Sequence, residues 1–326
     1  MLAYAVRRVL VSMPILIAAT FLVFVMVALS GDPLSELRTR NPPPPPRTFE
    51  LEAQRLNLDE PLLTRYWGWL TGLFRGDFGP STQSTLQIGP ELFARFVVTF
   101  RLIALAMLVA LVLAVIVGVI SAVKQYSGTD YTFTFAGFLF LSMPSFWFAI
   151  LLKEAGISFN NAVGSQVLFT IGDSSVFVEG GTWAQFTDIL GHMILPTISL
   201  ALLSFAAWSR FQRASMLEVL GSDYVRLARA KGLRQRKVMT RHALRTALIP
   251  LTTVTALDLG AIISGAVITE IVYQWRGAGS FLLESIDRND VYAVSGWLLV
   301  AATFIILFNL AADLLYAVLD PRIRYA

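Results

Sequence analysis

The chain contains no cysteine. A disulfide framework, an iron–sulfur cluster and a thiol nucleophile are therefore excluded. There are only two histidines, His192 and His242, far apart in sequence, so a histidine-rich metal site is not expected. No Gly-Lys dipeptide occurs, which removes the G-x-x-x-x-G-K-[ST] loop that cradles nucleotide phosphates. H-E-x-x-H, C-x-x-C and G-x-S-x-G are missing as well, and with them the zinc-hydrolase and nucleophile-elbow signatures. Charge is also scarce. Asp, Glu, Lys and Arg make up 15% of the chain, against 56% hydrophobic residues, where a soluble domain carries about 25% charge. Neither a catalytic residue nor a metal ligand is expected.

What is abundant is apolar sequence in long blocks. About 20 apolar residues are needed for a helix to cross ~30 Å of hydrocarbon. Six segments meet or approach that length, roughly 9–29, 97–123, 132–152, 190–208, 248–272 and 292–317. The expected class is an all-α membrane protein with six transmembrane helices. The first segment follows Arg7 and Arg8 like a signal peptide, but it is longer than the 7–15-residue core of one, so it is expected to be retained. Pro144 and Pro196 are expected to kink the third and fourth spans. Of 26 Lys and Arg, ten lie between Arg210 and Arg245. Arg7, Arg8, Lys124, Arg322 and Arg324 fall on the same side if the N-terminus is cytoplasmic, and six spans then return the C-terminus there too. The net charge of +4 is thus explained by topology, and no nucleic-acid partner is expected. Neither histidine is placed to activate a serine within the bilayer: His192 opens the fourth span and His242 lies in the basic loop.

Three regions follow from this layout. Residues 1–30 hold the N-terminus and first span. Residues 31–95 form an extracytoplasmic loop, with Pro42 to Pro46 as a stiff spacer and an amphipathic helix near Pro61–Gly79. Leu62, Leu63, Tyr66, Trp67, Leu70, Leu73 and Phe74 share one face of that helix, which suits either the bilayer surface or the outer ends of the spans. Residues 96–326 form the membrane core, with a cytoplasmic loop at 209–247. The outer loop from Lys153 to Asp188 contains a β-like "SSVFVEGG" and is expected to cover the outer mouth.

The basic loop has its own pattern. "DYVRLARAKGL", Asp223 to Leu233, predicts a short helix. Ser222 suits the N-cap, Asp223 the first turn, Arg229 and Lys231 the last turn, and Gly232 the C-cap. Tyr224, Leu227, Ala228 and Lys231 fall on one face by i, i+3, i+4, i+7 spacing, and Arg226 and Arg229 on another. A second helix is expected from Arg234 to Leu248, with Ile249-Pro250 opening the fifth span. A loop that only fixed topology would need neither caps nor a glycine stop.

"YVRLARAKGL" followed by "RHALRTALIP" resembles the cytoplasmic "EAA" loop of permease subunits in ATP-binding-cassette importers. It is most similar to the first (B-type) of the two permeases in oligopeptide and dipeptide importers. "RRVLVSMPILIAATFLVFVMVALSGDP", "LDEPLLTRYWGWLTGLFRGDFG", "SMPSFW", "ILPTISLAL" and "DLLYAVLDPRIRY" extend the resemblance along nearly the whole chain, in order. The general pattern has Glu and Ala six and five residues before Gly. Here those places hold Arg226 and Leu227, and only Ala228 and Gly232 fit.

The resemblance implies a type I ABC importer permease fold in the bacterial inner membrane. It implies a second permease subunit, two ATP-binding subunits that hold the ATP and magnesium, an extracytoplasmic peptide-binding protein and a peptide substrate. This chain itself would carry no cofactor. Asp223, Tyr224, Arg226, Leu227, Ala228, Arg229, Ala230, Lys231 and Gly232 would form the ATPase-coupling segment, with Tyr224, Leu227 and Ala228 buried against the partner. A related nickel or glutathione importer is the nearest alternative cargo reading, and a stand-alone channel or secondary transporter the alternative class.

Charged residues inside spans are costly and usually functional. Asp258 falls about ten residues, or ~15 Å, into the fifth span, and Glu270 near its outer end. Asn309 and Asp313 lie toward the inner end of the last span, and Arg101 toward the outer end of the second. Asp258, Glu270 and Asn309 are candidate translocation-pathway residues; for Asp258 a structural interhelix pair stands as an equal alternative. Arg101 and Asp313 are expected to pair or snorkel at the interfaces.

Overall fold

The computed structural model describes residues 2–319. The side chains of residues 2–5, 259, 261, 263–265 and 312–319 are excepted, so the Asp313 side chain, Arg322 and Arg324 lie outside the described residues. The described chain is helical with no β-strand. In order it forms α1 (Leu2–Ser30), α2 (Ser35–Arg38), α3 (Pro46–Arg55), α4 (Leu62–Gly72), α5 (Ile88–Val123), α6 (Gly128–Ser142), α7 (Ser145–Val163), α8 (Gly181–Leu220), α9 (Asp223–Ala230), α10 (Gln235–Lys237), α11 (Leu244–Leu257), α12 (Leu259–Val272), α13 (Ala278–Asp287) and α14 (Val291–Leu319). Two compact units divide the described residues, 2–99 with 276–307, and 100–275 with 308–319.

Among the described residues four helices, α1, α5, α8 and α14, have the length and apolarity to cross a membrane, and the pair α6–α7 makes a fifth if counted as one span. Two of the six expected spans therefore differ. The segment 132–152 is not a kinked helix: α6 and α7 meet at 107°. The cause is local. Met143 takes an extended conformation (φ −82°, ψ 130°), as a residue preceding proline prefers, and Pro144 then caps α7. The segment 248–272 is divided at Asp258 into α11 and α12, of 14 residues each. Each is about 21 Å long and too short to cross alone. Pro250 sits inside α11 and does not open it. Pro196 likewise lies within α8, which runs for 40 residues.

In the first unit, Phe24 on α1, Tyr66 and Trp69 on α4, and Tyr292 on α14 form a buried aromatic cluster. Asp290 anchors this unit. Its carboxylate accepts from Ser81 Oγ (2.5 Å), Thr82 N (2.9 Å) and Ala293 N (3.0 Å), the last capping α14. Pro45 has polyproline II angles (φ −56°, ψ 147°), and Pro46 occupies the first turn of α3. Pro61 precedes α4 as expected, and a 3₁₀ turn, Leu73–Arg75, ends on the left-handed Gly76.

In the second unit α5 and α8 approach closely at Gly118. A Cβ there would stand 2.7 Å from Gln212 Cβ and 2.8 Å from the Ser209 carbonyl. The β-like run between α7 and α8 is irregular, and its Val176 and Phe177 side chains are exposed. The loop before it is tied down by Gly172 N–H to the Tyr273 carbonyl (2.8 Å) and by Arg101 to Asp173 (3.0 Å).

Candidate functional site

The basic loop folds as helix, glycine stop, helix. Helix α8 continues twelve residues past the expected end of its span, Trp208, to Leu220, an extension of about 18 Å. Gly221 and Ser222 form the joint, and α9 follows with eight residues. Ser222 has N-cap geometry (φ −71°, ψ 152°), but its hydroxyl donates to the Val219 carbonyl and does not cap α9. The other end closes as the sequence predicts. Gly232 takes φ 74°; its N–H donates to the Arg229 carbonyl at 2.9 Å, and Leu233 N–H to the Ala228 carbonyl at 3.4 Å. This paired 6→1 and 5→2 arrangement is the Schellman motif, which favours glycine because of the positive φ.

Helix α9 has two apolar faces. Val225 and Ala228 are buried in a cluster with Ala122, Met216, Val238, Ala243 and Ala247. Tyr224 is 43% exposed and Leu227 55%; with exposed Lys231 they form the outward stripe. Ala228, expected on the partner-facing stripe, thus turns into the chain's own core, and Val225, which the pattern did not single out, turns in beside it. Arg226, Arg229 and Ala230 are exposed. Arg226 pairs with Asp223 at the surface, where an ion pair contributes little. The expected helix from Arg234 is present as α10, a π-helical turn (Val238–Ala243) and α11 in succession. Val238 and Ala243 from the π turn fill the floor under α9.

A second support was not visible in the sequence. The Asp130 carboxylate at the start of α6 is buried and accepts Arg213 Nε at 2.8 Å and Arg213 Nη2 at 2.7 Å. Tyr126 N–H (3.0 Å) and the Ser121 hydroxyl also donate to it. Arg213 lies on the extension of α8 that carries α9. The bidentate pair therefore ties this extension to the α5–α6 turn, with geometry that a lysine would not reproduce.

The three pathway candidates lie at the α11–α12 junction, on α12 and on α14. Asp258 lies at the α11–α12 junction, where Trp208 Nε1 donates to its Oδ2 at 2.7 Å. This is the interhelix pair that stood as its structural alternative. Glu270 is fully buried near the end of α12, twelve residues or about 18 Å along from Asp258. Asn309 is half-buried on α14. Arg101 is paired, as expected, with Asp173, and its guanidinium lies 5.4 Å from the Trp275 ring. His192 is stacked on Phe169 (4.0 Å) with Nδ1 2.9 Å from the Asp188 carbonyl, a packed structural setting.

Residues 114–325 match the family described as binding-protein-dependent transport system inner membrane component, and residues 1–87 match its N-terminal membrane component. The chain is 38% identical over 324 residues to the oligopeptide transport system permease protein OppB of Mycobacterium bovis, covering 99% of both chains. It is 36% identical over 341 residues to the dipeptide transport system permease protein DppB of Escherichia coli, covering 100% of this chain and 99% of the other. The oligopeptide transport system permease protein AppB of Bacillus subtilis is 34% identical over 330 residues and covered in full. Among solved structures, the MetNI methionine ABC transporter in an inward-facing conformation aligns with TM-score 0.55 at 15% identity, over 70% of this chain and 96% of that one. That likeness concerns the fold.

Proposed function

The chain belongs to the family of binding-protein-dependent transport system inner membrane components, as the permease component of an ABC importer, and from this premise we propose that it forms half of a peptide translocation pathway in a bacterial inner membrane. A second permease completes the pathway. Two ATP-binding subunits supply the work, and an extracytoplasmic binding protein delivers the peptide. Six spans place both termini in the cytoplasm, with α6–α7 and α11–α12 each counted as one broken crossing.

The observation that carries this reading is the build of α9. A lever needs a stiff arm, a fixed tip and a surface for the partner. The arm is the unbroken α8 with its 18 Å extension, clamped through Arg213 and Asp130. The tip is α9, closed at Gly232 and packed inward through Val225 and Ala228. The surface is the outward pair Tyr224 and Leu227, flanked by Arg226, Arg229 and Lys231. Apolar groups exposed beside a basic rim suit a groove with apolar floor and acidic edges; the charges steer the encounter and the apolar pair supplies burial. Motion of the ATPases enters at α9 and passes along α8 to the spans. Asp258, at the α11–α12 junction near the middle of the expected span, presents negative charge to the ammonium end of a passing peptide while one oxygen holds Trp208. Specificity for side chains then rests with the binding protein.

The direct test is affinity purification of the tagged chain from its own membrane. The expected result is a complex holding a second permease and two ATP-binding subunits. Recovery of the chain alone, under conditions that preserve other multisubunit transporters, would contradict the proposal.

A further inference from the structure

Helix α4 was expected in an extracytoplasmic loop, but its contacts lie elsewhere. The Tyr66 hydroxyl donates to the Ile17 carbonyl of α1 at 2.9 Å and lies 3.0 Å from Thr20 Oγ1. Its ring packs edge-on against Phe21 (5.1 Å) and Phe24 (5.5 Å), and Trp69 packs on Phe24 at 6.2 Å. All four α1 residues lie inside the apolar run Val9–Leu29. At 1.5 Å per residue, Ile17 is about 18 Å from the Leu29 end of that run and about 12 Å from the Val9 end. Phe21 and Phe24 are about 12 and 8 Å inside the Leu29 end. If α1 spans the bilayer, α4 sits beside it within the hydrocarbon, not beyond it. This depth does not depend on which way α1 is oriented.

The rest of α4 fits that medium. Lipid requires polar groups to be satisfied within the protein. Trp69 Nε1 donates to the Phe78 carbonyl at 3.1 Å and Thr71 Oγ1 to the Trp67 carbonyl at 2.9 Å. Arg65 is the one charged residue between Leu62 and Phe74. It is the exception: buried, with no hydrogen-bond partner for its Nε among the described residues, its guanidinium lies 5.8 Å from the Phe24 ring and 5.7 Å from the Tyr292 ring. Leu63 and Trp67 turn away from α1, Leu70 follows them at helical spacing, and the 3₁₀ turn after α4 adds Phe74. Leu63 is 58% exposed, Trp67 56% and Phe74 90%. The stripe is uncharged, and α1 likewise presents exposed apolar side chains, Leu22, Met26 and Leu29.

We propose that α4 and the 3₁₀ turn that follows it are membrane-embedded, and that Leu63, Trp67, Leu70 and Phe74 contact the acyl chains of the leaflet at the Ser30 end of α1. The proposal rests on the transmembrane reading of α1. It adds a lipid-contacting element to the permease, between the first two long helices, that does not itself cross the membrane.

Because the natural chain has no cysteine, single sites can be labelled without background from it. Cysteine is placed singly at Leu63, Trp67 and Phe74, at Leu22 on α1 as the lipid reference, and at Arg40 as the aqueous reference. Each full chain carries a nitroxide and is reconstituted in phospholipid vesicles, with and without companion subunits freed of their own cysteines. Collision with oxygen and with a water-soluble nickel chelate is then measured by electron paramagnetic resonance. The expected oxygen-to-nickel ratio at positions 63, 67 and 74 matches that at 22 and exceeds that at 40 severalfold. A ratio matching position 40, with position 22 still in lipid, overturns the proposal and leaves the permease reading intact. Shielding from both reagents only when companions are present overturns it in favour of a protein partner. A water-like ratio at position 22 removes the transmembrane reading of α1, and the proposal with it.

Discussion

Replacing Gly232 isolates backbone conformation from packing. The residue sits at φ 74°, and a Cβ built there would meet no atom within 4 Å. The first side-chain carbon therefore meets no clash, and what changes is the left-handed conformation that closes α9. For an ordinary L-residue that conformation costs about 1–2 kcal/mol. The cost is smaller for asparagine, which is enriched there, and greatest for β-branched residues. One to two kcal/mol is about a 5–30-fold change in a local equilibrium. Gly232→Val is thus expected to raise the frayed population of the α9 end by about that factor, Gly232→Ala by less, and Gly232→Asn least. Trypsin reads this directly, because Arg229, Lys231, Arg234, Arg236 and Lys237 surround the position and cleavage follows the open population when reclosing is fast. In vesicles holding the complete transporter, ATP hydrolysed per solute moved should rise in the same order, Asn, Ala, Val. Unchanged proteolysis and coupling in Gly232→Val would refute the reasoning. Equal damage from Asn and Val would also refute it, since the effect would then not follow φ.

Other substitutions separate the two faces of α9 and test its support. Leu227→Asp, on the exposed stripe, should leave stability within about 0.5 kcal/mol yet lose the ATP-binding subunits on purification; full retention would remove the stripe from the docking surface. Ala228→Asp places a carboxylate among Val225, Met216 and Val238 and should instead expose the loop to trypsin. Arg213→Ala leaves a buried Asp130 without its cation and should cost about 3 kcal/mol, the lower end for breaking a buried pair because Arg213 is partly exposed; melting-temperature losses of the Arg213→Ala and Asp130→Ala variants should be non-additive when combined, and additive losses would contradict the pair. Asp258→Asn keeps an oxygen for Trp208 but drops the charge, so assembly should be unchanged while peptide uptake falls; wild-type uptake would assign Asp258 to the helix contact alone.

Much of helix α9 was legible because its signals are local. A serine before an aspartate, basic residues in the last turn and a glycine stop fall within a dozen residues, and the helix forms between them. Its orientation was not legible. Tyr224 and Leu227, and Val225 and Ala228, are both apolar pairs spaced by three, so either could face the core; the choice follows from Met216, Val238 and Ala247 packing beneath. The Asp130–Arg213 clamp joins residues 83 apart, and neither neighbourhood advertises the other. The break in the third expected span carried a signal, the Met143-Pro144 step, that apolarity masked. Helix α4 was foreseen from its apolar spacing and its flanking Pro61 and Gly76, but not its face: of the residues expected together, Tyr66 turns in beside Arg65 and Trp69, while Leu63, Trp67 and Phe74 turn out. Its place against the middle of α1 was not, because an aromatic–apolar stripe is compatible with interface, core and lipid alike.

The central claim is that this chain moves solute only when ATP-burning companions act on α9. Uptake of a radiolabelled peptide should be measured in vesicles holding the chain alone, and in vesicles holding it with the second permease, both ATP-binding subunits and the binding protein. The account predicts concentrative, ATP-dependent uptake in the complete set, no uptake by the chain alone, and loss of uptake in the complete set when Leu227 is replaced by Asp. Peptide movement by the chain alone would contradict it.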